Sequence, residues 1–352
     1  MEYTLVLYLL LIGLTCTTSF FKFKLTGIQR TVIAVCLSAS FPIFLSAFRY
    51  GNGADYFLYE KIFKTFCNGQ IFHEVKSLEL GYIVLTEICS TISNSPFFFF
   101  LINALLINIF FFWGIYKESC NVPLSILLFF ITGTFFDSFN GLRQYIATAI
   151  IFCSYKYILE KNKKEFLLTV LLASLFHYSA LIMIPIYYIS RYRLTMVKTT
   201  LLLLSEVIAG SFIYQIITYL LQFTRYSFFL TSVEYKIDIT YGSILYTTII
   251  TIVCYIYLNN KKGAIGQMLT TLQVIICACS LTSLFIPLSA RLQYYFLPFE
   301  IIIIPEIINS IKIRSNKILI SFFFIIMYST IVGYGMICND WFNAIPYHLY
   351  PF

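Results

Sequence analysis

The chain has 352 residues, of which 59% are hydrophobic and 11% are charged, and its mean hydropathy is +0.83. No soluble domain of this size could bury so much apolar surface, so the composition excludes a soluble protein and indicates a polytopic membrane protein. The net charge of +8 does not indicate nucleic-acid binding, because the basic residues fall mainly in short loops between apolar runs.

Charge-poor stretches of spanning length recur along the whole chain and leave no segment for a soluble domain. We therefore predict a single all-α transmembrane domain over residues 1–352. The start of the chain has no basic n-region and no small-residue cleavage site, so its first apolar run should remain as a span. We predict about ten transmembrane helices, near residues 5–20, 31–48, 96–115, 122–136, 142–159, 199–223, 241–258, 267–288, 294–310 and 318–335.

The basic residues predict the orientation of these spans. Lys22, Lys24 and Arg30 flank the first loop, which the positive-inside rule places in the cytoplasm. The N-terminus then lies outside, and the loops at 49–80 and 223–240 are extracytoplasmic.

Two apolar runs do not fit this alternation as simple spans. Residues 81–92 form a run too short to cross the bilayer comfortably, so we predict an interfacial or re-entrant half-helix there. Residues 166–190 lie between two basic loops and carry His177 near their middle, which favours a pair of half-helices that turn back. The alternative for residues 166–190 is one long tilted span.

The ten cysteines are scattered and form neither a CxxC motif nor a cluster with histidine. This spacing argues against a structural zinc site or a redox motif. We expect no metal and no cofactor.

Arginines mark the outer side of the predicted membrane domain. Arg49, Arg143 and Arg291 each lie where an outer loop meets an apolar helix, and a guanidinium is costly there unless an anion meets it. Its planar set of donors suits two-point contact with phosphate or carboxylate oxygens. The alternative for each arginine is a side chain that snorkels to lipid headgroups.

Glycine turns accompany two of these arginines. Residues 51–53 let the backbone turn sharply after Arg49, and Asp55 follows on the new segment. Residues 139–144 repeat the design, with Arg143 in the first turn of a helix whose N-terminus also favours anions. Two glycine turns, each next to an arginine on the same predicted face, suggest a site for a diphosphate or a pair of acidic groups.

His177 is the one histidine within an apolar segment. A membrane histidine can be a hydrogen-bonded core residue, but imidazole is also suited to acid–base chemistry near neutral pH. Ionisable groups inside a membrane protein are commonly functional, so we favour a functional role for His177.

Six short motifs follow one another along nearly the whole chain. They are Arg49-x3-Gly53-x-Asp55-x3-Tyr59, Glu79-Leu80-Gly81-Tyr82, Leu142-Arg143-Gln144-x2-Ala147, Phe176-His177-x-Ser179-Ala180, Arg291-x2-Tyr294-Tyr295-x2-Pro298 and Ile345-Pro346-Tyr347. In this order the motifs resemble those of the EpsG family of exopolysaccharide and O-antigen polymerases. Ala54 departs from the family pattern, which usually has threonine before the aspartate.

The resemblance implies a membrane glycosyltransferase that joins undecaprenyl-diphosphate-linked oligosaccharide repeat units at the outer face of a bacterial cytoplasmic (inner) membrane. Such an enzyme acts in exopolysaccharide or lipopolysaccharide biosynthesis, with a chain-length regulator and a flippase of the same pathway as partners. Its implied base is His177 or Asp55, and its diphosphate ligands are Arg49, Arg143 and Arg291. Its implied sugar-binding residues are Tyr59, Glu79 and Tyr82.

Two other classes share some of these features. A flippase for lipid-linked oligosaccharides would need arginines along a cavity open to both membrane faces, whereas the basic residues within apolar segments gather on one predicted side. That asymmetry favours an enzyme. A ligase or another membrane glycosyltransferase would share the chemistry and differ in its acceptor.

Overall fold

The computed structural model describes residues 2–20, 27–69, 78–223, 241–259, 263–285 and 289–351, and these form helices without a strand. The predicted loop at 223–240 falls almost wholly outside these ranges, as do residues 70–77 of the loop at 49–80. The helices are α1 (Glu2–Thr18), α2 (Gly27–Ala47), α3 (Tyr56–Cys67), α4 (Leu80–Ile92), α5 (Pro96–Glu118), α6 (Val122–Ile131), α7 (Thr134–Asp137), α8 (Leu142–Phe152), α9 (Tyr155–Leu159), α10 (Lys163–Ser174), α11 (Met183–Ile189), α12 (Met196–Leu221), α13 (Tyr241–Cys254), α14 (Gly263–Thr282), α15 (Ser289–Gln293), α16 (Glu300–Ser310) and α17 (Arg314–Cys338).

Five helices of the described chain are long and apolar enough to cross a membrane. They are α2, α5, α13 with its π-helical continuation to Asn259, α14 and α17, and α12, which bends by 48°, would be a sixth. The all-helical membrane class is therefore confirmed, but the predicted count of about ten spans is not.

The predicted spans near the middle of the chain are short or broken helices. Residues 142–159 divide into α8 and α9, and at the break the Ser154 hydroxyl donates to the Ile151 carbonyl oxygen at 2.6 Å. Helix α6 ends at Ile131, shortly before Gly133, whose φ of 86° is left-handed. Hydropathy averages over such breaks, which is why the sequence predicted continuous spans.

Helices α10 and α11 form a hairpin with His177 near its tip. The Tyr187 hydroxyl in α11 donates to the carbonyl oxygen of Lys161, just before α10, at 2.7 Å. The rings of Phe166 and Tyr187 also stack, with centroids 5.4 Å apart. The ends of the hairpin therefore lie side by side, and the predicted chain reversal near His177 is present.

Helices α2, α5 and α8 pack around an aromatic core that includes Phe99, Phe111, Phe129 and Phe152, all at most 1% exposed. Helix α5 begins at Pro96, in the first turn where a missing N–H costs little. Its 23 residues, most of them apolar, give it a length of about 35 Å, enough to cross the hydrocarbon core. This core is the scaffold against which the loops at one end of the molecule are held.

The C-terminal segment covers the loop that follows α2. The Tyr50 N–H donates to the His348 carbonyl oxygen, and the Tyr350 N–H donates to the Phe48 carbonyl oxygen, both at 2.8 Å. The Tyr8 hydroxyl of α1 donates to the Ala344 carbonyl oxygen at 2.6 Å. The start of α1, the end of α2 and the C-terminal segment thus meet at one end of the protein, which the charge bias predicts to face outward.

Candidate functional site

The loop after α2 is built around the buried side chain of Arg49. This residue is 1% exposed, and its guanidinium donates to the carbonyl oxygens of Ser46, Asn52 and Phe139 at 2.7, 3.1 and 3.2 Å. It also lies 4.6 Å from the centroid of the Phe139 ring, a cation–π contact. This position does not support the predicted contact of Arg49 with a diphosphate. It favours a structural role, because backbone dipoles and aromatic faces already satisfy the charge.

The same loop contacts the turn before α8 at Gly53. Its φ is 96°, and a Cβ atom there would lie 2.6 Å from the Phe139 carbonyl oxygen, so only glycine fits. Beside it, the Ala54 N–H donates to the Asn140 side-chain oxygen at 2.6 Å. The two glycine turns noted in the sequence are therefore packed together, and they bring Asp55 and Arg143 to one end of the protein.

Glu79 is the centre of the site. It is 3% exposed, and its two carboxylate oxygens contact different partners: Oε2 lies 2.5 Å from Arg143 Nη1, and Oε1 lies 2.8 Å from His177 Nδ1. The Arg143 and His177 side chains are 25% and 26% exposed, whereas that of Glu79 is 5% exposed. Glu79 thus lies behind two partly exposed side chains, so its position does not support the predicted contact with a sugar.

A close helix packing holds Glu79 beside His177. Glu79 precedes α4, and the Gly81 N–H in the first turn of that helix donates to the Leu175 carbonyl oxygen at 2.8 Å. A Cβ atom on Gly81 would lie 2.9 Å from that same oxygen. Any larger residue would push α4 away from the hairpin, so the contact between Glu79 and His177 depends on this glycine.

The contacts in this cluster set the protonation of Glu79 and the tautomer of neutral His177. Burial raises the pKa of the Glu79 carboxyl, but the hydrogen bond with His177 and the charge of Arg143 more than offset this, and the pKa lies below its ordinary value. Glu79 is therefore a carboxylate, and it accepts a hydrogen bond from the protonated Nδ1 of His177. In neutral His177 the lone pair then lies on Nε2, the atom that can take a proton from a bound hydroxyl.

Tyr59 and Tyr82 lie behind the cluster. Tyr59 is 5% exposed and lies near Arg143, while Tyr82 is fully buried with ring contacts to Tyr59 and Phe99. Neither position supports the predicted role in binding sugars, because the rings present no free face.

Asp55 and Arg291 form the second half of the site. Burial raises the pKa of the Asp55 carboxyl above its ordinary value, and the charges of Arg291 and Arg143 oppose this rise. Asp55 precedes α3 without a side-chain capping bond, and Arg291 is an exposed residue of α15. The Gln144 side chain donates to the Arg291 carbonyl oxygen at 2.6 Å, which fixes α15 against α8.

Two further contacts escaped the sequence prediction. Asp137 lies near Tyr145, and burial raises the pKa of its carboxyl to about 7. The Ser179 and Tyr295 hydroxyls lie 3.0 Å apart and join the hairpin to the segment after α15. Ser179 and Tyr295 belong to motifs noted in the sequence, which was the available signal. Over the described ranges, no three His, Cys, Asp or Glu side chains gather in a way that could hold a metal ion.

Comparison with known proteins gives one match that covers nearly the whole chain. The model of the EpsG family matches residues 32–349, a range that includes every residue of the site. Searches of curated proteins and of solved structures gave no match.

Proposed function

Because this chain belongs to the EpsG family, we propose that it is a polysaccharide polymerase that joins lipid-linked oligosaccharide repeat units by glycosyl transfer. The observation that carries the proposal is the carboxylate of Glu79, which contacts both His177 and Arg143. A histidine held in one tautomer beside a fixed cation is an arrangement suited to proton removal next to a charged leaving group.

The proposed reaction begins with a hydroxyl group of the incoming repeat unit. His177 Nε2 takes the proton of that hydroxyl, whose oxygen attacks the anomeric carbon of the growing chain. The new glycosidic bond forms as the bond from the anomeric carbon to the diphosphate oxygen breaks. Glu79 stabilises the imidazolium that results, since its carboxylate lies 2.8 Å from Nδ1. Asp55 is the second candidate for the base.

The leaving group is a lipid diphosphate, which needs charge stabilisation more than protonation. Arg291 and Arg143 are the proposed ligands, because the charges of both lower the pKa of Asp55 and both therefore lie near that residue. Guanidinium groups match phosphate oxygens in two-point contact and keep their charge at any physiological pH. Arg49 is left out of this set because backbone oxygens take its hydrogen bonds.

The lipid carrier is proposed to be undecaprenyl diphosphate, with the site at the outer face of a bacterial cytoplasmic membrane. This orientation follows from the basic loops predicted to be cytoplasmic, and it places Asp55, Arg143, His177 and Arg291 where exported repeat units arrive. The proposed partners are the bilayer, the flippase that delivers repeat units and a chain-length regulator.

Deletion and complementation in the host test this function. We expect the deletion strain to lose the ladder of surface polysaccharide while a single-unit band survives, and loss of both would indicate a flippase instead. Complementation with His177→Ala should fail at normal protein level, and His177→Gln should rescue poorly because an amide cannot take the proton.

The matched control is His348→Gln. His348 is exposed, and its backbone rather than its ring contacts Asn52 and Tyr50. This variant should restore the full ladder. A full ladder from His177→Gln as well would contradict the assignment of His177 as the base.

A further inference from the structure

A cavity of about 220 Å³ lies beside the base of the α10–α11 hairpin, at the opposite end of the hairpin from His177. One part of its wall is polar and includes Lys161, Ser190, Arg191 and Gln267, whereas another part is apolar and includes Met268. No acidic residue lines this cavity in the part of the chain that the structure describes.

Tyr187 of the hairpin contacts both basic residues of this cavity. The Lys161 carbonyl oxygen accepts the Tyr187 hydroxyl at 2.7 Å, which anchors the turn between α9 and α10 to α11. The Arg191 guanidinium lies over the Tyr187 ring, 3.8 Å from its centroid. Tyr187 therefore holds the Arg191 guanidinium and the backbone of Lys161 beside the cavity, whose wall carries both basic residues.

The shape and polarity of the wall indicate the kind of ligand. Two cations without an acidic neighbour favour an anion, and the Ser190 and Gln267 side chains add hydrogen-bonding groups. Ala264 and Ile265 also line the cavity from the first turn of the 20-residue helix α14, whose N–H groups favour negative charge. The apolar wall suits a hydrocarbon chain attached to that anion.

A neighbouring cavity gives a useful contrast. It has a volume of about 210 Å³ and is lined by Lys117 and Lys156, but Glu118 lines it as well. An acidic side chain in the wall offsets part of the positive charge and repels an anionic ligand. The cavity at Lys161 and Arg191 is the better anion site for that reason.

We propose that the cavity at Lys161 and Arg191 binds the headgroup of an anionic phospholipid from the cytoplasmic leaflet. The basic residues around it lie at the end of the protein predicted to face the cytoplasm, where anionic lipids are abundant and basic pockets between helices bind their headgroups. The bound lipid would hold α9, α11 and α14 together at the base of the hairpin that carries His177.

Purified full-length protein in a neutral detergent tests the proposal. Phosphatidylglycerol, phosphatidylcholine with the same acyl chains and inorganic phosphate are titrated separately, while thermal unfolding and native mass spectrometry report stabilisation and bound lipid. We expect phosphatidylglycerol to raise the unfolding temperature in a concentration-dependent way and to remain bound. Phosphatidylcholine and inorganic phosphate should have little effect at the same concentrations.

The variant is Lys161→Asn with Arg191→Gln, and its control is Lys164→Gln, an exposed residue of the same basic stretch that does not line the cavity. Each lost cation should weaken apparent lipid affinity about fivefold, so the double variant should bind about twenty-five-fold more weakly than the wild type or the control. Asparagine suits the left-handed φ of 59° at position 161. If the double variant fails to fold, Lys161→Asn alone serves, with the fivefold loss expected.

Three results would overturn the proposal. Wild-type lipid affinity in the folded variant would show that the two cations do not bind the headgroup. Equal stabilisation by phosphatidylcholine would show that only the acyl chains matter. Equal stabilisation by inorganic phosphate would assign the cavity to a small soluble anion.

Discussion

Replacing Glu79 by glutamine keeps the size of the side chain and removes the charge that joins His177 to Arg143. The amide can accept a hydrogen bond through one atom, but its NH2 group must then face a donor, either Arg143 Nη1 or His177 Nδ1–H. Either the contact with Arg143 at 2.5 Å is lost, or the contact with His177 at 2.8 Å survives only if the imidazole proton moves from Nδ1 to Nε2, which removes the lone pair of the base. A hydrogen bond to a charged group contributes about 1.5 to 3 kcal/mol, which corresponds to about ten- to a hundredfold in rate.

The exposure of the two partners places the expected loss toward the lower end of that range. Arg143 and His177 are each about a quarter exposed, so water can replace part of the lost contact. We expect Glu79→Gln to slow polymerisation about tenfold or more at unchanged protein level. The assay is the rate at which purified protein in liposomes extends lipid-linked repeat units.

The control for Glu79→Gln is Glu60→Gln. Glu60 forms an ion pair with Lys64 at 2.7 Å within α3, and the Lys64 side chain is 58% exposed, so this surface pair contributes little. The control should extend repeat units at the wild-type rate. An undiminished rate from folded Glu79→Gln would refute the argument that this carboxylate organises the site.

Three other sets of variants test the arginines, the packing at Gly81 and the orientation in the membrane. Arg143→Lys and Arg291→Lys keep the charge but lose the planar guanidinium that makes two-point contacts, so the polymer seen on gels should be shorter or absent at normal expression. Wild-type polymer from both variants would instead indicate that these arginines anchor the protein in the membrane. Gly81→Ala should lower polymerisation without preventing membrane insertion, because a Cβ there would lie 2.9 Å from a backbone oxygen and move α4 from the hairpin; an unchanged rate would show that the site tolerates this shift. In a protein without other reactive cysteines, Asn94→Cys should react with a membrane-impermeant thiol reagent in whole cells and Asn162→Cys should not, since both positions are exposed and lie at opposite predicted faces; the reverse pattern would invert the orientation.

The sequence predicted the parts of this protein that depend on composition and local pattern. Apolar runs gave the helical membrane class, and the basic loops on both sides of residues 166–190 gave the chain reversal near His177. The motifs gave the family, and also the four partly exposed or exposed side chains of the site: Asp55, Arg143, His177 and Arg291.

The features that the sequence did not predict depend on packing between residues far apart in the chain. Glu79 and His177 are 98 residues apart, and their contact depends on how closely Gly81 approaches Leu175, which no local pattern reveals. Arg49 lies in a motif like the other arginines, but backbone carbonyl oxygens surround it, and their directions are set only when the loops fold. The predicted count of about ten spans is not confirmed, and hydropathy does not register a helix break such as the one between α8 and α9.

The central claim is that this protein forms glycosidic bonds through the cluster of Glu79, His177 and Arg143. The most direct test supplies purified protein in liposomes with lipid-diphosphate-linked repeat units and measures glycan length together with the lipid diphosphate released. We expect the wild type to make longer glycans and to release one lipid diphosphate for each bond formed, and His177→Ala to do neither. Movement of repeat units across the bilayer without glycan extension, or full extension by His177→Ala, would contradict it.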